Sequence, residues 1–319
     1  MKYTKATAKV YSRANFKGVW AAVLMPMNAQ GQIVEDDFWR NLHHWIHDLK
    51  LAGLFVGGKQ AEYFSMSIAE RQRSFEIAVQ AAAGTQCGII TSCSDTNLDV
   101  VIELARYSEK IGADYIVVHS PVLHFGADTD ETIYEYYRYL SEQLEIGIAL
   151  WNHPDCGYVM SPELCARIAE LPNIVAIKYS VPRELYTKLT HLAGDKILVS
   201  TASEEEWLDN IIELGWQLYL CSTPPYLLQT AADQRINEYT NLAFAGKHCE
   251  ARALSASLQP ARDAFKASKP KGKPQAHSKV WQECLGQAGG SVRRPLLQMT
   301  SAEIAATKAA FAQSGLRLK

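Results

Sequence analysis

No run of apolar residues in the 319-residue sequence approaches the roughly 20 that a membrane-spanning helix needs. The opening stretch, Met1 to Phe16, is mixed and polar and has no apolar segment of the secretory-leader kind. Neither sign of charge is in excess. Thirty-two Lys and Arg face 34 Asp and Glu, a net charge of −2, so neither nucleic acid nor an anionic membrane is expected as a partner. None of the seven cysteines forms a C-x-x-C pair, and their number is odd. They read as reduced, partly buried thiols of a cytosolic protein, not as a disulfide framework. His43 and His47 stand four apart at helical spacing, but no Glu follows the first as in H-E-x-x-H and no Cys is near, so packing or solvation is their expected role. There is no internal repeat and no low-complexity tract. The expectation is a soluble, cytoplasmic protein.

What the sequence does have is a 48% hydrophobic content, enough for one large core or at most two domains. The organising stretch is Leu171 to Ser180. Ile174 to Ile177 is apolar on both faces and lies between helix-like segments, the pattern of a strand in a buried parallel sheet. Lys178 ends that run. In a parallel barrel the C-terminal ends of the strands carry the chemistry. Burial there would disfavour the ammonium form and free the amine to attack a carbonyl. Taken alone, Lys178 reads more readily as a lysine that ends a strand and reaches back to water.

The same alternation runs along most of the chain. Apolar strands are expected at Val19 to Met25, Gly53 to Gly58, Cys87 to Ser92, Tyr115 to Ser120, Ile146 to Trp151, Ile197 to Ser200 and Leu218 to Cys221. Helical patterns separate them: Glu35 to Lys50, then Ser67 to Ala83 with a Ser67/Glu70 capping box, and others as far as Leu228 to Phe244. About eight strand–helix pairs predict a (β/α)8 TIM barrel over 17–247. A doubly wound sheet is the alternative, weakened by the lack of G-x-G-x-x-G after the first strand. A C-terminal helical appendix is expected over 248–319, with helices at Cys249 to Ala267, Lys279 to Leu285 and Ala302 to Gln313, and a basic linker from Lys269 to Pro274.

Several segments together resemble the dihydrodipicolinate synthase and N-acetylneuraminate lyase superfamily. They are Gly18 to Pro26, Gly57-Gly58 with Glu62 and Ser67-x-x-Glu70-Arg71, Gly112 to Pro121, Trp151-Asn-His-Pro154, Asn173 to Lys178, and Arg294-Pro-Leu296. The resemblance implies a class I aldolase-type barrel without a metal or other cofactor. It implies a homotetramer or homodimer, acting on a small 2-keto acid such as pyruvate. Lys178 matches the lysine that forms the imine, which then serves as an electron sink for C–C or C–O bond cleavage.

The departures from the family pattern are as informative. The family's Gly-Thr-Thr-Gly-Glu loop reads Gly58-Lys59-Gln60-Ala61-Glu62, so Lys59 and Gln60 are the expected carboxylate contacts in place of two hydroxyls. Trp151 replaces the tyrosine before Asn152; its indole N–H donates a hydrogen bond but does not titrate near neutrality. Val122 and Leu123 replace a tyrosine pair after the fourth strand. The Thr/Tyr proton relay is therefore absent as a set. His124 is the expected replacement acid–base group, with His153 and Tyr179 as others. Asn152, Tyr179 and the loops holding Ser203 and Ser222 are expected to line the mouth.

Three readings follow. In one, an altered acid–base group serves an altered keto acid, including a 2-keto-3-deoxy sugar acid dehydratase. In another, the chain resembles the hydratase–aldolases of benzylidene-pyruvates, with Trp20, Trp151 and Phe125 forming an apolar pocket. In the third, the barrel binds a keto acid or other small acid without converting it, or only assembles with itself.

Overall fold

The computed structural model describes residues 1–122, 129–221 and 225–318. The chain opens with α1 (Ala8–Asn15) and then alternates through β1 (Gly18–Ala22), α2 (Glu35–His43), β2 (Gly53–Val56), α3 (Ile68–Ala82), β3 (Gly88–Ser92), α4 (Leu98–Ile111), β4 (Tyr115–His119) and α5 (Thr129–Gln143). It continues through β5 (Gly147–Asn152), α6 (Pro162–Ile168), β6 (Ile174–Tyr179), α7 (Arg183–Ala193), β7 (Leu198–Ser200), α8 (Trp207–Leu214), β8 (Leu218–Leu220) and α9 (Arg235–Phe244). Four further helices follow: α10 (His248–Ala256), α11 (Gln259–Ala267), α12 (Pro274–Cys284) and α13 (Ser301–Ala312).

All eight strands are parallel, in the order β7-β6-β5-β4-β3-β2-β1-β8. Where β7 and β8 meet, a side chain helps to close the ring: the Leu220 N–H donates to Ser200 Oγ at 2.8 Å. The result is a nearly closed (β/α)8 barrel with C-terminal helices, as the strand–helix alternation predicts. The strands are buried nearly end to end because helices cover their outer faces and side chains fill the interior.

The bottom of the barrel is plugged by aromatics. The Trp20 indole lies where side chains on β2 and β3 would stand; a Cβ added at Gly53 or Gly88 would come within 2.2 Å of its ring. Phe16 packs on Trp20 with ring centroids 4.4 Å apart, and Tyr115 stacks on Phe16 at 4.3 Å. Tyr3 ties this layer together by donating to the Asp114 carbonyl and accepting from the Gly147 N–H. The amino-terminal stretch, mixed and polar in sequence, thus forms α1 and covers the barrel floor. Its short apolar face is too brief to register as a periodic pattern.

Three other boundaries differ from expectation. β6 runs on to Tyr179, one residue past Lys178, where the strand was expected to end. The helix expected over Cys249 to Ala267 is two helices, since Pro260 falls in the first turn of α11, where a missing N–H is tolerated, and would break a continuous helix. The linker from Lys269 is brief because Pro274 opens α12, well before the expected start at Lys279. α12 is anchored to the barrel by the Trp281 indole N–H, which donates to the Leu227 carbonyl at 2.7 Å. Among the described residues no helix is long and apolar enough to cross a membrane.

Candidate active site

Strand register sets the site. His119 on β4 pairs with Trp151 on β5, Trp151 with Lys178 on β6, and Lys178 with Ser200 on β7. Paired residues of parallel strands point to the same face, so these four form one layer near the C-terminal rim. The Lys178 side chain is buried; its Nζ lies 5.3 Å from the Phe55 ring centre and 5.8 Å from that of Trp151. It donates to the Cys221 carbonyl at 2.7 Å. Burial pulls the amine down to about 8; the nearby Cys221 thiol opposes this and the Lys59 ammonium adds to it. Lys178 therefore has far more free amine near neutral pH than an ordinary lysine, though ammonium still prevails there.

The amine opens into a cavity of about 220 Å³ bounded by Phe55, Lys59, Gln60, Trp151 and His153, with Ala22, Ser180 and Ala202 completing the barrel side. Gly58 begins the loop that brings Lys59 and Gln60 there. A side chain at Gly58 would sit 2.8 Å from the Phe55 ring, so the close approach requires glycine.

Lys59 makes an ion pair with Asp155, and the Asp155 carboxylate stands 3.4 Å from His153 Nδ1. The Asp155 N–H also donates to that Nδ1, at 3.1 Å. Burial opposes the Asp155 charge, but Lys59 and His153 outweigh it and hold the carboxyl below its ordinary range. Burial, with the Lys59 and Lys178 ammonium groups, keeps the His153 imidazole below its ordinary pKa against the pull of Asp155. The loops after β2 and β5 thus present a Lys59–Asp155–His153 chain, its imidazole facing the same cavity as Lys178.

The structure brings together Lys178, Trp151, Lys59, Gln60 and Gly58 from the sequence-derived set. It separates others. Tyr179 points away from Lys178 by strand alternation and donates to the Met160 carbonyl at 2.6 Å, under α6. Asn152 also faces outward, accepting from the Met160 N–H at 3.2 Å and bonding the Met160 carbonyl through Nδ2, so it pins the loop after β5 and does not line the cavity. Ser203 lines a neighbouring cavity. Trp20 belongs to the barrel floor, not to the pocket. His124, Phe125 and Ser222 lie outside the described residues. Among the described residues no group of three or more His, Cys, Asp or Glu is placed to hold a metal ion.

Three features escaped the sequence reading. His119 is buried behind Trp151, with Nδ1 at 2.6 Å from the Ser120 carbonyl and Nε2 at 3.0 Å from the Tyr63 hydroxyl. A histidine ending an otherwise apolar strand was the only signal. Gln275 and Pro274 of α12 close the cavity from outside, which no local pattern reveals. Glu62, in a left-handed conformation at φ 62°, is fully buried and paired with Lys279 of α12 at 2.6 Å, while its other oxygen accepts from the Arg293 N–H at 2.7 Å. The loop carrying Lys59 and Gln60 is therefore bolted to the C-terminal helices.

A lysine buried at the C-terminal rim of a (β/α)8 barrel, with its amine shifted toward neutrality, is the arrangement that class I aldolase-type chemistry requires. Residues 15–314 match the model of the dihydrodipicolinate synthetase family, and the chain belongs to that family, whose members are Schiff-base, pyruvate-dependent aldolases and lyases. It is 25% identical over 288 residues to a 4-hydroxy-tetrahydrodipicolinate synthase of Methanothrix thermoacetophila, covering 89% of this chain and 92% of that one. It is 31% identical over 165 residues to an N-acetylneuraminate lyase of Clostridium perfringens, covering 51% of this chain and 56% of that one. In fold it is similar to YagE, a prophage protein of the dihydrodipicolinic acid synthase family from E. coli K12 solved with pyruvate. The TM-score is 0.83 at 18% identity, over 95% of this chain and 99% of that one.

Removing one partner of a buried ion pair leaves the other uncompensated, at about 3–5 kcal/mol. Lys279→Met is expected to lower the unfolding free energy by about that amount in guanidinium titration, and Glu62→Gln in the same background to restore part of it. A loss below about 1 kcal/mol for Lys279→Met would show that the pair does not hold the loop.

Proposed function

We propose that this chain is a Schiff-base lyase acting on a 2-keto acid, with Lys178 as nucleophile. The observation that carries the reading is the buried Lys178 amine, lowered to about 8 and opening into a cavity at the barrel's C-terminal rim. The free amine adds to the C2 carbonyl of the keto acid, and the carbinolamine loses water to give the imine. Once protonated, the imine accepts the electron pair released at C3 when a proton or a carbon–carbon bond leaves. Lys59 and Gln60 face the same cavity and suit the substrate carboxylate.

The acid–base work falls to His153. To act as base the imidazole takes the tautomer in which Nδ1 gives up the Asp155 N–H and donates its own proton to the Asp155 carboxylate, 3.4 Å away; Nε2 then has a lone pair for the C3 proton, and Asp155 stabilises the imidazolium that forms. His153 thereby takes the place of the tyrosine relay that the family has and this chain lacks. Assembly as a homodimer or homotetramer is proposed on the family's habit.

Borohydride reduction in the presence of pyruvate is expected to add a stable mass to the peptide holding Lys178, and Lys178→Met to abolish it. Absence of an adduct with pyruvate and with substituted pyruvates alike would refute the imine reading. His153 is tested by proton exchange: wild-type protein should exchange the pyruvate methyl protons in D2O, and His153→Asn should slow that exchange by roughly 100-fold or more while still trapping the imine. Unchanged exchange in His153→Asn would remove His153 from the chemistry.

A further inference from the structure

The end of the barrel opposite Lys178 carries a cavity of its own. It measures about 450 Å³, within the range of small-molecule sites, and lies at the N-terminal ends of β1, β3 and β4. Lys2, Tyr11, Lys17, Trp20, Asp114 and Tyr115 are among its walls. Lys2 and Tyr11 precede the residues that match the family, so the segment carrying α1 adds a wall from outside the matched barrel.

These walls offer donors and positive charge and little to answer them. Asp114 is the one acid among the lining residues, and both its oxygens are engaged. Oδ1 accepts from the Lys2 ammonium at 2.8 Å, and Oδ2 accepts from the Ile89 N–H at 2.8 Å. Lys2 therefore balances Asp114. The Lys17 ammonium has no partner among the described residues, which leaves one uncompensated positive charge at the cavity edge. A second observation comes from Tyr115, which is 1% exposed. Its hydroxyl has no hydrogen-bond partner among the described residues. The nearby Tyr3 phenol shows the contrast, since it donates to the Asp114 carbonyl and accepts from the Gly147 N–H. Buried polar groups are almost always paired, because a group stripped of water and given no partner is destabilising. An unbalanced cation and an unpaired donor at one cavity both suit an anionic oxygen acceptor.

We propose that this cavity binds a small organic anion, whose carboxylate or phosphate oxygens are held by Lys17 and the Tyr115 hydroxyl and whose body lies against the Tyr11 and Trp20 rings. The site lies at the other end of the strands from Lys178 and does not depend on the imine chemistry. Phenylalanine at position 115 would fill the same space without an orphan hydroxyl, so the tyrosine is explained by what it binds and not by packing.

The test titrates phenylacetate, phenyl phosphate and the neutral, same-shaped phenylacetamide into the protein by calorimetry at low salt. At least one anion is expected to bind about tenfold or more tighter than the amide, and the tighter of the two names the head group. Tyr115→Phe and Lys17→Met should each weaken that binding by roughly tenfold. Lys59→Met and Lys178→Met, which remove the cations of the rim cavity, should leave it unchanged. Because Tyr115→Phe removes only an unpaired group, its unfolding midpoint without ligand should equal or exceed that of the wild type. A lower midpoint would mean that the hydroxyl has a partner within the protein. Equal binding of amide and anions would mean that charge is not read. Binding that survives Lys17→Met but falls in Lys59→Met would place the anion at the rim. Each of these results overturns the proposal, as does the absence of binding by either anion at millimolar concentration.

Discussion

Much of the rim depends on keeping one amine out of water. An ammonium group surrounded by Phe55 and Trp151, with a single carbonyl as partner, is poorly solvated, and the free amine is correspondingly favoured. Keeping water out requires the barrel to be filled below Lys178 and walled around it. Trp20 does the first, at the expense of any side chain on Gly53 and Gly88. The loop from Gly58 does the second, with Phe55 packed so closely that only glycine fits. The same loop brings the Lys59 ammonium near enough to depress the lysine further.

The rim is assembled from segments far apart in sequence. Glu62 and Lys279 are 217 residues apart, yet their buried pair decides where Lys59 and Gln60 sit. Arg71, from the helix after that loop, is buried and donates to the carbonyls of Ser92 and Ser94, which fixes the end of β3. The loop after β5 is pinned by Asn152 through Met160, leaving His153 and Asp155 to face Lys59. The positively charged Lys59 is paired with Asp155, so the loops after β2 and β5 are coupled through charge.

The barrel was legible because its strands are short and apolar and its helices periodic, and Lys178 because it ends such a strand. Trp151, Lys59 and Gln60 followed from the family resemblance, at positions where this chain departs from the family's motifs. Tyr179 and Asn152 were misassigned for a simple reason: alternation turns neighbours of an inward residue outward, and the expected strands ended at Lys178 and Trp151, so the period was not carried one residue further. His119 went unnoticed because a single histidine at the end of an apolar strand carries no pattern of its own. α1 and the early start of α12 were invisible because their stability comes from packing on the barrel and not from their own sequence periodicity.

The account rests on the state of the Lys178 amine. With lysines labelled at 13Cε and the Lys178 signal assigned by its loss in Lys178→Met, a pH titration by NMR measures that state directly. A lowered pKa means that the free amine prevails above the midpoint and ammonium below it. The predicted midpoint is about 8, leaving about a tenth of Lys178 as free amine at pH 7. A midpoint near the ordinary 10.5 would contradict the account, because Lys178 would then be a solvated structural cation.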